Sequence, residues 1–88
     1  MSRRDKAPEV EVDGGESGAI DHRVTCHLDQ LLTERGLTLT ELAQRAGVTV
    51  VNLSVLKNDR ARAIRFSTLT AICDVLNCQP GDLLTVRR

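Results

Sequence analysis

The chain has 88 residues, with twelve Lys and Arg balanced by twelve Asp and Glu, and Phe66 is its only aromatic residue. That length holds one domain, whose core must be built from Leu, Val, Ile and Ala. It leaves little room for a catalytic cleft of the usual ~300 Å³ or more. No run approaches the ~20 apolar residues that cross a bilayer, and neither a Gly-rich phosphate loop nor a nucleophile elbow is present. An enzyme, a cofactor and a membrane partner are therefore not expected.

The zero net charge conceals an asymmetry. Residues 1–21 carry three basic residues (Arg3, Arg4, Lys6) against six acidic ones (Asp5, Glu9, Glu11, Asp13, Glu16, Asp21). Subtraction from twelve and twelve leaves nine basic and six acidic in residues 22–88, a net +3. Residues 1–19 mix Pro, Gly, Ser and charge with almost nothing to bury, so ordering them does not offset its entropy cost. The reading is a flexible, solvated N-terminal arm over 1–21 and one domain over 22–88.

From Ile20 to Leu28 apolar and polar residues alternate, the period of a strand, although His22 interrupts the apolar side. The natural partner is the alternating piece Leu84-Thr85-Val86-Arg87, which would make a short terminal ribbon. Leu28, Leu31, Leu32 and Arg35 share one helical face, and Gly36 follows as a C-cap glycine. Thr38-Leu39-Thr40-Glu41 is a capping box that opens a second helix with Leu42, Ala43 and Ala46 on its apolar side, stopped by Gly47. Thr49 is a good N-cap for a third helix, Val50 to Asn58, with Leu53 and Leu56 facing inward. Two short helices joined by a Gly-containing turn of three to four residues have helix-turn-helix geometry. Lys57 to Arg65 reads as a basic loop. Ser67 is expected to cap a fourth helix with Leu69, Ile72, Cys73 and Leu76 on one face, and Pro80 opens a last short turn. The fold class is an all-α, compact five-helix bundle, with short terminal strands as an option.

Cys26, Cys73 and Cys78 form no CxxC pair, and residues 1–20 lack the apolar stretch of a secretory signal, so free thiols in a cytoplasmic protein are expected. His22, Cys26 and His27, even with Cys73 or Cys78 added, make a poor zinc signature. The cysteines read as small core residues and no metal is expected.

The run LTLTELAQRAGVTVVNLSVLKNDRARAIRFSTLTAICDVLNCQPGDLL resembles the Cro/cI (Xre, lambda-repressor-like) helix-turn-helix family, within it the short bacterial regulators with an ARAIRFSTL segment and a CQPGDLL ending. The resemblance covers residues 28–84. It implies double-stranded DNA as partner, the third helix in the major groove and the loop after it on the backbone. Carried onto this sequence, the base-reading positions are Val50, Val51, Asn52, Ser54 and Val55. The backbone positions are Thr38, Thr40, Lys57, Asn58, Arg60, Arg62 and Arg65. A valine can meet only a thymine methyl, so direct readout falls to Asn52 and Ser54. Shape, and Arg65 at the minor groove, would supply the rest.

The function expected is a homodimeric transcriptional regulator, a repressor in the first instance, acting on a pseudo-palindromic operator. The alternative is a protein-interaction module such as an antitoxin or anti-repressor partner, which would use the valines of helix 50–58 as an apolar face or the acidic arm against a basic partner.

Overall fold

The computed structural model describes residues 12–14 and 22–88, and its helices are fixed by their ends. They are α1 (Leu28–Arg35), α2 (Leu39–Ala46), α3 (Val50–Lys57), α4 (Phe66–Leu76) and α5 (Pro80–Leu83). The first four stop in the same way. A residue of positive φ (Gly36, Gly47, Asp59, Asn77) turns the chain back, and the next N–H donates to the carbonyl five residues earlier. These bonds are Leu37 to Leu32, Val48 to Ala43, Arg60 to Val55 and Cys78 to Cys73, each 3.0 Å. This is the Schellman closure, which satisfies carbonyls that a helix end leaves open. Two ends use the expected glycines, and two use Asp or Asn, the other residue types that tolerate left-handed backbone.

The core draws from all five helices. Leu28, Leu42, Leu53, Ile72, Leu76 and Leu83 are fully buried, each worth about 1.5–3 kcal/mol relative to an exposed position. Arg35 locks the far ends of two helices together: its Nε donates to the Leu76 carbonyl at 2.7 Å and its Nη2 to that of Asn77 at 3.4 Å. A cation at the carbonyl end of α4 also suits the helix dipole.

The all-α expectation needs correction, because the described residues contain four short strands: β1 (Val12–Gly14), β2 (Val24–Cys26), β3 (Ala61–Ile64) and β4 (Leu84–Val86). The terminal ribbon forms as expected, with Val24 opposite Val86 and Cys26 opposite Leu84. The second pair does not follow the expectation. The basic segment 57–65 is not all loop, since β3 occupies its second half and pairs antiparallel with β1, Val12 opposite Ile64. Three residues of the presumed arm thus have a fixed place, and Val12, 3% exposed, joins the core where β1 lies against α3. The remaining residues of the arm lie outside the described ones.

His22 interrupts the apolar alternation for a structural reason. Its Nδ1 accepts from the Val24 N–H at 2.9 Å and its Nε2 donates to the Ala61 carbonyl at 2.8 Å, so the ring ties β2 to β3. A second tie comes from Asp59, whose carboxylate accepts from the Cys26 N–H at 2.8 Å.

Candidate nucleic-acid interface

The segment from Thr38 to Phe66 gathers the residues that the sequence singles out, and it is built on three helix N-termini. At α2 the capping box is complete. The Thr38 hydroxyl accepts from the Glu41 N–H at 3.1 Å, and the Glu41 carboxylate accepts from the Thr38 N–H at 2.9 Å and from its hydroxyl at 3.2 Å. These bonds, the backbone one first, hold the Glu41 carboxyl below the usual range. They also occupy Thr38, while Thr40 stands exposed in the first turn of the helix.

Gly47 and Val48 then turn the chain, and the Thr49 hydroxyl caps α3 by accepting from the Asn52 N–H at 3.0 Å. With Leu53 and Leu56 buried, the first turn of α3 projects Val50 (42% exposed) and Val51 (71% exposed) into solvent. Asn52 and Ser54 are half-buried beside them. Val55, also among the expected base readers, is half-buried and packs against the core edge.

The backbone candidates divide into two groups. Lys57 and Asn58 serve the fold: the Lys57 ammonium pairs with Asp29 of α1 at 3.3 Å, and the Asn58 amide donates to the Ser54 carbonyl at 2.9 Å. Arg60 and Arg62 are exposed and have no acidic partner among the described residues. Asp59, which by sequence dilutes the basic run, is turned back onto β2, so its charge is directed away from them. Arg65 is exposed at the N-cap of α4.

Sequence reasoning missed the start of α4. The expected cap, Ser67, sits inside the helix, which begins at Phe66 with Arg65 in the N-cap position and no capping bond from the Arg65 side chain. Phe66, 84% exposed, marks the spot. Neither α3 nor α4 carries an acidic residue in its first turn, so no carboxylate of their own offsets the positive dipole ends, the feature that receives a phosphate; at α3 Thr49 occupies one of the amides. The signal was legible as the lack of Asp or Glu after Arg65.

The residues considered for zinc have other employment. Both His22 nitrogens are bonded, His27 Nε2 bonds the Thr85 hydroxyl at 2.7 Å, and burial pushes the Cys26 thiol up to about 11. No helix among the described residues is long and apolar enough to cross a membrane.

Comparison with known proteins agrees with this geometry. The family model described as the Cro/C1-type HTH DNA-binding domain matches residues 27–87. A protein of Bacillus subtilis (strain 168), the uncharacterized HTH-type transcriptional regulator YozG, is 52% identical over 64 residues, which cover 73% of this chain and 76% of the relative. The crystal structure of the transcriptional regulator VanUg superposes with a TM-score of 0.62 at 27% identity, covering 78% of this chain and 92% of that one. The chain therefore belongs to the Cro/C1-type helix-turn-helix family of DNA-binding domains.

Proposed function

We propose that the chain is a sequence-specific transcriptional regulator that sets α3 into the major groove of double-stranded DNA. Arg60, Arg62, Arg65 and the start of α4 hold one phosphate strand, and Thr40 at α2 holds the other side of the groove. The observation that carries this reading is the juxtaposition of the exposed Arg60 and Arg62, which have no acidic partner among the described residues, with two helix N-termini that carry no acidic residue in their first turns, around the exposed first turn of α3. Val50 and Val51 contribute thymine-methyl contacts, and Asn52 and Ser54 the hydrogen-bonding readout. So sparse a reader relies on groove shape and on paired half-sites for specificity, which fits a homodimer on a pseudo-palindromic operator. Blocking promoter access by repression in the cytoplasm is the simplest output of a domain this small.

A second reading has one observation in its favour: Val51 and Val50 form an exposed apolar spot, which suits a protein partner as well as a methyl-lined groove. The triple variant Arg60→Ala, Arg62→Ala, Arg65→Ala separates the two. Loss of duplex binding by the folded triple variant is the result expected of a regulator. Retained operator binding would remove the arginines from the interface and turn attention to a protein that covers the valines.

A further inference from the structure

A Schellman closure brings together the side chains of the residues that its long hydrogen bond connects, and it ordinarily fills that contact with apolar groups. At α1 and α2 these pairs are Leu32 with Leu37 and Ala43 with Val48. At α4 both positions are cysteine. Asn77 turns the chain at φ 52°, and Cys78 N–H donates to the Cys73 carbonyl at 3.0 Å, which sets the two cysteines side by side on one groove. Aliphatic side chains would satisfy the helix end equally well. Two cysteines held side by side by a backbone bond add a covalent option, because most of the entropy of bringing their thiols together is already spent.

Access is the second half of the argument. Cys73 is 8% exposed and Cys78 half-buried, yet both line an open groove with Leu69, Thr70 and Pro80. Cys26 is on the separate terminal ribbon.

We propose that Cys73 and Cys78 form a redox-active dithiol that a peroxide closes to an intramolecular disulfide. Cys78, the more accessible sulfur, attacks one oxygen of hydrogen peroxide. The O–O bond breaks, Cys78 becomes a sulfenic acid, and the other oxygen leaves as water with the thiol proton. Cys73 then attacks the sulfenic sulfur, the S–O bond breaks, and the hydroxyl departs as a second water with the Cys73 proton. Two thiols give up two electrons and one peroxide becomes two waters. Burial, with Cys78 alongside, pushes the Cys73 thiol up to about 11, which leaves the first attack to Cys78; the later attack by Cys73 relies on the adjacency of the two residues. Such a pair would give the domain an oxidant-responsive element of its own, of the transient kind found in reducing compartments.

The test is a hydrogen peroxide titration of the reduced, folded, full-length protein, followed by denaturation, alkylation, intact mass and peptide mapping. Alkylatable thiols should fall from the three cysteines of the sequence to Cys26 alone. A Cys73–Cys78 linked peptide should appear, and dithiothreitol should restore all three thiols. Cys26→Ser should leave the linkage intact, and Cys78→Ser should abolish it. The proposal fails if Cys78 advances to sulfinic or sulfonic acid while Cys73 stays alkylatable. It fails equally if the only disulfides join separate chains, or if all three thiols survive peroxide that oxidises free cysteine. The wild-type map decides the matter even if a serine variant does not fold.

Discussion

At the scale of single residues, the four positive-φ positions set where the first four helices stop and hence the angle at which the next element begins. A Cβ added at Gly47 would meet nothing within 4 Å, so Gly47→Ala probes the backbone term alone. The left-handed penalty for an L-residue, about 1–2 kcal/mol, should appear as a lower urea midpoint with an unchanged m-value. Glu41 gives a pH signature. Its hydrogen bonds to Thr38 hold the folded carboxyl below its usual range, so they stabilise the fold above the unfolded-state pKa and are lost as pH falls through the folded one. Glu41→Gln should therefore flatten the acid side of a pH–stability curve and leave the alkaline side unmoved. His22 was illegible at this scale, because a histidine that breaks an apolar stripe gives no hint that its two nitrogens join strands separated by 39 residues.

At the scale of elements, helices α1, α2 and α3 could be read from local signals: Gly36 and Gly47 as stops, Thr38 and Thr49 as caps, leucines on one face. All of these act within one or two turns of chain. Truncating their anchors should be costly, since Leu42 and Leu53 are fully buried. Leu42→Ala and Leu53→Ala should each lose about 2–5 kcal/mol, measured by chemical denaturation. The β1–β3 pair was not legible, for the opposite reason. Ala61-Arg62-Ala63-Ile64 has weak strand preference, and its partner is a three-residue piece of an acidic, Gly-containing stretch about fifty residues away. Only the tertiary structure pairs them. The start of α4 was misplaced by two residues because Ser67 offers a capping hydroxyl that the helix does not use.

At the scale of the whole molecule, a chain this short buries only about 60% of its unfolded surface, so each added anchor counts. Val12 is one of them, 3% exposed although it belongs to a stretch whose composition predicts no fixed structure. Removing residues 1–14 should lower stability by about 1.5–3 kcal/mol, the worth of one buried valine, in the same denaturation assay. An unchanged midpoint would mean that β1 contributes nothing in solution. The charge distribution belongs to this scale too. A formally neutral chain carries a net +3 over residues 22–88, where carboxylates such as Asp29, Glu41, Asp59 and Asp82 are engaged by a lysine, a helix cap or a backbone amide. Arg60 and Arg62 are left exposed, without an acidic partner among the described residues.

Fluorescence anisotropy of the purified protein on a duplex from upstream of its own coding sequence and on a scrambled duplex, across a salt series, tests the central claim most directly. The account predicts submicromolar binding that favours the upstream duplex, with a log–log salt slope of about −0.9 per phosphate contact. The Arg60→Ala, Arg62→Ala, Arg65→Ala variant should be too weak to measure. Equal, weak binding to both duplexes, or a slope indifferent to those arginines, would contradict the assignment of α3 and the segment after it as the DNA interface.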